Sequence, residues 1–204
     1  MLSFLENSVD NHIHCCPHIN KRSTNIFEVV EHAENNKMYA IGLMDNFSNT
    51  SGYASLIRKH FPDLNLKIFG GLIMEPPAGG VSYENAKNSL EYSYFENDGA
   101  KFISFPTHHT RHIAIREQRN LNYIQDCFYV PDEGPTYETS KILELIAKKN
   151  IVLNTGHLSP EETIILHLPI NSMVAKIHYL WESFIRLLKI QIFLRTSVIQ
   201  KVIK

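Results

Sequence analysis

The stretch TYETSKILELIAKKNIVLNTGH, residues 136–157, decides the fold class of this chain. Residues 136–150 show the apolar spacing of an amphipathic helix, and residues 151–157 form a short apolar run typical of a buried strand. The same alternation of helix-like and strand-like segments extends from residue 8 to about residue 162. Because the strand segments are rich in Ile, Val, Leu and Phe with little polar alternation, they predict a parallel sheet covered on both faces.

The alternation predicts six strands, at residues 9–14, 39–45, 66–74, 100–107, 126–134 and 151–157. The helices between them are predicted at residues 25–36, 51–60, 83–95 and 136–150. Capping-box patterns, Asn25 with Glu28 and Ser159 with Glu162, mark two helix starts. The first strand is not followed by G-x-G-x-x-G, so six or more units favour a (β/α) barrel over a doubly wound sheet. The prediction is an α/β, TIM-barrel-like domain over residues 1–168, which could be incomplete at its C-terminal end.

The composition is that of an ordinary globular protein. The 204 residues are 44% hydrophobic and 20% charged, with a formal net charge of −1, which argues against a nucleic-acid-binding surface. The three cysteines form neither a disulfide framework nor a C-x-x-C pair. The first residues lack the basic run and apolar core of a signal peptide, and charges interrupt every apolar run long enough to span a membrane. We expect a cytoplasmic protein without a membrane span.

Candidate metal ligands stand where the predicted strands end. His12 and His14 end the first strand and, being two residues apart, project from the same face. The candidates that follow the second, fourth and sixth strands are Asp45, His108, His109 and His157. The active site of a parallel barrel lies at the carboxyl ends of its strands, so these side chains are predicted to meet.

Imidazole and carboxylate ligands suit a divalent metal, with Zn as the first choice and Mn or Fe as alternatives. Such an ion lowers the pKa of a bound water to roughly 7, which predicts hydrolysis of a small-molecule substrate. The candidates also have ordinary structural explanations. His108 and His109 could lie in a solvated loop, Asp45 could support a histidine, Glu75 could be a surface acid, and His18 is expected to be a loop residue.

Five segments together resemble an uncharacterised family of amidohydrolase-like, metal-dependent hydrolases. They are DNHIHCCPH, AIGLMDNFSNT, KIFGGLIMEPPAGGVSYENAK, GAKFISFPTHHTRH and ILELIAKKNIVLNTGHLSPEE, in order over residues 8–163. The resemblance implies a TIM-barrel-like fold and a metal centre that uses the H-x-H of the first strand. The chain departs from the family at the end of the second strand, where Met44-Asp45-Asn46 replaces a lysine or histidine, and this argues against a second, bridged metal.

Three hypotheses about function follow. The first is a metal-dependent hydrolase acting on a C–N, ester or related bond, with its general acid unassigned. The block IGLMDNFSNTSGY also resembles PHP-type phosphoesterases, with Asn46 in place of their histidine, and this implies a multi-metal cluster that adds Asp45 and Glu75. The third hypothesis is a barrel that binds metal without activity, because no acid for the proton transfer can be assigned.

The C-terminal segment, residues 169–204, differs from the rest of the chain. It is apolar and basic, and no acidic residue follows Glu182. Three explanations stay open: an amphipathic helix packed on the barrel, a helix that touches a membrane surface, or a change of reading frame near residue 164. A barrel that lacks its last strands would expose strand edges, which favours a homo-oligomer.

Overall fold

The computed structural model describes residues 4–173. Its strands are β1 Val9–Ile13, β2 Ala40–Leu43, β3 Lys67–Gly70, β4 Leu72–Ile73, β5 Phe102–Ser104 and β6 Val152–Asn154. Its helices are α1 Ile26–Asn35, α2 Ser51–His60, α3 Tyr83–Ser89, α4 Arg111–Arg116, α5 Leu121–Asp126, α6 Tyr137–Lys149 and α7 Pro160–Met173, with a short 3-10 turn at Pro76–Ala78. The expectations for residues 174–204 fall outside the described residues.

The strands form two small parallel sheets, and the TIM-barrel prediction is wrong. One sheet has the order β1-β2-β3 and the other β4-β5-β6. The described part of the chain contains no closed barrel, although helices and parallel strands alternate as predicted. Closure fails because there are too few paired strands: residues 126–134 form the end of α5 and a loop with a single bridge, between Thr110 and Phe128, rather than a strand.

The chain passes from the first sheet to the second at Gly71. β3 pairs with β2, whereas β4, one residue further on, pairs with β5. A Cβ atom on Gly71 would overlap the backbone carbonyl oxygen of Phe102, so glycine permits this close approach of the neighbouring strand. The Thr50 hydroxyl joins the same region, lying 2.6 Å from the Leu43 oxygen and accepting from the Gly71 N–H at 3.0 Å.

Each sheet has its own apolar cluster. Ile41, Leu43 and Ile68 of the first sheet pack with α1 and α2, and Ile103 of the second sheet packs with the α6 residue Ile142. Capping fixes where the helices begin. The Asn25 side chain accepts from the N–H of Glu28 at 3.0 Å and the Glu28 carboxylate accepts from the Asn25 N–H at 2.8 Å, as predicted.

All the strand pairs are parallel, so the loops that follow β1, β2, β4, β5 and β6 leave from corresponding ends of the strands. These loops carry the residues singled out in the sequence. No helix within residues 4–173 is long and apolar enough to cross a membrane.

Candidate functional site

A cavity of about 390 Å³ lies where these loops meet, and histidines dominate its lining. The lining includes five histidines, His12, His14, His18, His108 and His157. Other polar side chains around it are Asn20, Arg22, Asn46, Thr107 and Asn154, and the apolar ones are Met44, Phe47 and Ile73. None of the described residues lining this cavity is acidic. The cavity therefore presents imidazoles, amides and one guanidinium.

His12 and His14 meet as the spacing predicts. Their Nε2 atoms are 3.3 Å apart and their ring centroids 5.2 Å apart. Two histidine nitrogens bound to one tetrahedral zinc ion at the usual Zn–N distance lie roughly 3.3 Å from each other. Asp10 helps to shape the strand here, because its carboxylate accepts from the His12 N–H at 3.0 Å. The pair therefore fits two ligands of one metal ion.

The environment of His14 favours its neutral form. Burial lowers the pKa of the His14 imidazole, and the nearby His12, Arg22 and His18 lower it further. A neutral imidazole is the form that binds metal. The Nδ1 atom of His14 is buried and has no hydrogen-bond partner among the described residues.

His108 and His157 approach each other on the loops after β5 and β6. Their ring centroids are 6.2 Å apart, with the planes at 77°. The His157 N–H donates to the Pro106 carbonyl at 3.1 Å, which ties the two loops together. Gly156, with a positive φ of 63°, provides the turn that this approach requires. Both histidines thus face the same cavity as the His12–His14 pair.

Glu75 does not line the cavity, whereas the phosphoesterase resemblance implies that it belongs to a metal cluster. It is 3% exposed. Its Oε1 accepts from the Thr107 N–H, the Thr107 hydroxyl and the His108 N–H, and its Oε2 accepts from the His109 N–H. The carboxylate therefore holds the loop after β5 in position.

Two of the six predicted ligands lie away from the cavity lining. The His109 ring packs against Tyr123, with centroids 5.3 Å apart. Asp45 accepts from the Phe47 N–H at 2.8 Å and the Ser48 hydroxyl at 3.0 Å, and its Oδ1 is 3.8 Å from His18 Nε2. Within residues 4–173, no group of three or more His, Cys, Asp and Glu side chains is arranged to enclose a metal ion. The structure thus brings together one pair of candidate ligands, His12 and His14, and places His108 and His157 around the same space.

Residues 7–173 match the model of a family of unknown function, DUF6282. The chain belongs to this family. The match spans every element from β1 to α7 and every residue of the cavity. No curated protein and no solved structure matches the chain. Because the family carries no assigned activity, the function of this DUF6282 protein has to be argued from the site itself.

Several polar side chains of the cavity are not among the residues predicted to form the site, and three of them are His18, Arg22 and Asn46. His18 was expected to be an ordinary loop residue, yet its side chain is 1% exposed and lines the cavity. Arg22 carried no signal beyond its nearness to the H-x-H pattern, and Asn46 entered only as a residue in place of a histidine. Two of these three, His18 and Arg22, follow His14 within eight positions, in the loop after the first strand.

Proposed function

We propose that the cavity is the active site of a metal-dependent hydrolase that acts on a C–N, ester or related bond of a small molecule. The observation that carries this proposal is the 3.3 Å separation of the Nε2 atoms of His12 and His14 at the cavity wall. These two residues would hold the divalent metal, with Zn as the first choice and Mn or Fe as alternatives. A cytoplasmic location, expected because the sequence lacks a signal-peptide pattern and a disulfide framework, is part of the same proposal.

A divalent metal held there would make a water molecule more acidic and would polarise the oxygen of the bond to be cleaved. The chain's own residues then have to move a proton to the leaving group. Three imidazoles of the cavity remain once His12 and His14 bind the metal. That of His18 contacts Asn20 and Arg22, which leaves those of His108 and His157 for this role. Imidazole is the side chain that most often serves in such transfers, and one of the two could instead complete the metal ligands.

The two alternative functions differ in what they require of this cavity. A PHP-type phosphoesterase would use Asp45 and Glu75 in a cluster of metals, but neither lines the cavity, and Glu75 accepts four hydrogen bonds from the loop after β5. A chain that binds metal without activity requires only the His12–His14 pair. The hydrolase is favoured because the imidazoles of His108 and His157, besides that of His18, lie around the same space as the pair.

The first experiment measures the metal content of the purified protein after incubation with zinc or manganese and removal of the excess. We expect about one metal ion per chain in the wild type and none in His12→Ala/His14→Ala. The matched control is His32→Ala/His60→Ala, which removes two histidines from α1 and α2, outside the cavity. Its metal content should equal that of the wild type. A wild-type protein without metal, or a control that loses it equally, would overturn the proposal.

The second experiment measures hydrolysis of amide, ester and phosphate-ester substrates by the metal-loaded protein. Activity on amides or esters that disappears in His12→Ala/His14→Ala supports the hydrolase. Activity confined to phosphate esters would select the phosphoesterase. If the metal-loaded protein hydrolyses none of the three classes, the site binds metal without catalysing hydrolysis.

A further inference from the structure

The buried polar atoms that lack a partner are concentrated in one place. Among the described residues, three buried side-chain nitrogen or oxygen atoms have no hydrogen-bond partner: His14 Nδ1, Arg22 Nε and Asn46 Oδ1. All three residues line the histidine-rich cavity. Buried polar groups in folded proteins are nearly always paired, so a cluster of unpaired ones needs a specific explanation. For the Arg22 and Asn46 atoms, a bound ligand that pairs with them is such an explanation.

The orientation of the Asn46 amide is fixed by its neighbours. The Thr107 hydroxyl has one proton, which it donates to Glu75 Oε1 at 2.8 Å. The same hydroxyl oxygen is therefore an acceptor for Asn46 Nδ2, which lies 3.1 Å away. This leaves Asn46 Oδ1 as an acceptor in a side chain that is only 8% exposed. A ligand that pairs with Oδ1 must offer an N–H or O–H group.

His18 and Arg22, in contrast to Asn46, need a hydrogen-bond acceptor. His18 Nδ1 accepts from the Asn20 N–H at 2.9 Å, so the proton of its neutral imidazole is on Nε2. Arg22 Nη2 lies 2.9 Å from that same Nε2, and a guanidinium can only donate. Both atoms therefore carry protons, neither can accept from the other, and each needs an acceptor elsewhere.

The described residues do not provide that acceptor. No acidic oxygen among them lies within 4.0 Å of the Arg22 guanidinium. The carboxylate of Asp45, at 3.8 Å from His18 Nε2, is too distant for a good hydrogen bond. An oxyanion from outside the chain would satisfy both His18 and Arg22, since arginine binds carboxylate and phosphate groups through paired N–H donors.

We propose that the ligand of this cavity is a small molecule that carries an oxyanion, a carboxylate or a phosphate, together with an N–H or O–H donor. Arg22 and His18 bind the oxyanion, and Asn46 Oδ1 accepts the donor. The inference deepens the proposed function by naming the substrate class of the same site, and it rests on that function for the claim that the ligand is a substrate. Binding itself depends on Arg22, His18 and Asn46, not on the His12–His14 pair.

Ligand binding can be tested with three related probes and inorganic phosphate, by NMR titration of chelator-treated and metal-loaded protein. N-acetylglycine has both a carboxylate and an amide N–H. Its amide, N-acetylglycinamide, lacks the anion, and N-acetylsarcosine lacks the N–H. The variants are Arg22→Gln and, as a matched control, Arg116→Gln on the exposed end of α4. The metal content of each variant is measured in parallel.

We expect N-acetylglycine to bind the wild type at least tenfold more tightly than N-acetylglycinamide, and also more tightly than N-acetylsarcosine. Arg22→Gln should weaken binding of N-acetylglycine at least tenfold and leave that of N-acetylglycinamide unchanged, whereas Arg116→Gln should match the wild type. If inorganic phosphate binds more tightly than N-acetylglycine and depends on Arg22 in the same way, the oxyanion is a phosphate.

Failure of both N-acetylglycine and phosphate to bind, or equal binding by the wild type and Arg22→Gln, would overturn the inference. Equal affinity for N-acetylglycine and N-acetylglycinamide, without phosphate binding, would overturn it as well. A wild type that binds no metal but binds an oxyanion through Arg22 would overturn the proposed hydrolase alone. Normal metal content with no oxyanion binding would overturn the substrate class alone.

Discussion

The Glu75 carboxylate accepts two hydrogen bonds from Thr107, one from its backbone N–H at 2.6 Å and one from its hydroxyl at 2.8 Å. This contact joins the loop after β4 to the loop after β5 and sets the direction of the Thr107 hydroxyl. Through that hydroxyl it also fixes the Asn46 amide. One buried acid outside the cavity lining thus determines which atom of Asn46 faces a ligand.

Replacing Glu75 by Gln should destabilise the protein. The amide keeps one acceptor oxygen, but its NH₂ group would face a backbone N–H that the carboxylate now satisfies, and the negative charge is lost. We expect the free energy of unfolding to fall by about 2 kcal/mol, measured by urea denaturation. Glu84→Gln is the control, since the Glu84 side chain is 71% exposed on α3, and it should change stability little. Equal effects of the two substitutions would show that the Glu75 bonds contribute nothing.

Thr50→Val should destabilise the protein at the place where the two sheets meet. Valine keeps the shape of threonine but leaves the Gly71 N–H without its side-chain acceptor and the Leu43 carbonyl without its donor. Because Thr50 is 3% exposed, water does not replace these bonds, and the expected loss is about 2 kcal/mol of unfolding free energy. Thr24→Val, in the loop between β1 and α1, is the matched control for urea denaturation. A Thr50 variant as stable as that control would contradict the structure.

Two glycines with similar backbone angles should respond differently to alanine. Gly156 and Gly80 have φ of 63° and 68°, so alanine carries a similar conformational strain of about 1 kcal/mol at either position. At Gly156 the new methyl would also overlap the carbonyl oxygens of Phe105 and Pro106, whereas at Gly80 nothing lies within 4 Å. We expect Gly156→Ala to lose about 3 kcal/mol in total and Gly80→Ala about 1 kcal/mol in thermal or urea unfolding. Similar losses at the two sites would mean that the loops after β5 and β6 are not in close contact.

The charge of Asp98 should make the stability of the protein depend on pH. Burial alone raises the pKa of its carboxyl, but hydrogen bonds from Lys101 and Arg58, each at 2.6 Å, outweigh burial and hold the pKa below its ordinary value of 3.8. A depressed pKa in the folded state stabilises the protein above the pKa of the unfolded chain, and this stabilisation is lost as the pH falls through the folded pKa.

The measurement is the free energy of unfolding of the wild type and Asp98→Asn between pH 7 and pH 3. The variant should be less stable by about 1 kcal/mol at pH 7, and the difference should shrink below about pH 4. Asp63→Asn, on an exposed turn, serves as the control. A wild-type advantage that persists unchanged down to pH 3 would show that the charge of Asp98 does not stabilise the fold.

Local features of the fold could be predicted from the sequence because they depend on neighbouring residues. The helix at 136–150 and the strand after it occur as α6 and β6. The second capping box forms as well: the Ser159 N–H donates to Glu162 at 2.7 Å and the Ser159 hydroxyl accepts from the Glu162 N–H at 3.1 Å. The meeting of His12 and His14 belongs to the same class, because residues two apart on a strand share a face.

Closure of the sheet could not be predicted in the same way. It depends on how many strands pair and in which register, and these contacts join residues far apart in sequence. The segment at 126–134, with apolar residues at 127–130, is compatible with a strand, but the chain places Leu121–Asp126 in a helix and pairs only Phe128 with Thr110. A short apolar run does not by itself distinguish these outcomes.

The sequence by itself determined the alternation of helices with parallel strands, the helix caps and the position of the paired histidines at the end of β1, because each depends on residues a few positions apart. Only the tertiary structure decided that two small sheets form in place of a barrel. It also decided that His108 faces the cavity while its neighbour His109 packs on Tyr123, and that His18, Arg22 and Asn46 join the site. The physical reason is that side-chain direction in loops is set by contacts such as that of Glu75 with Thr107, which connect positions 32 residues apart.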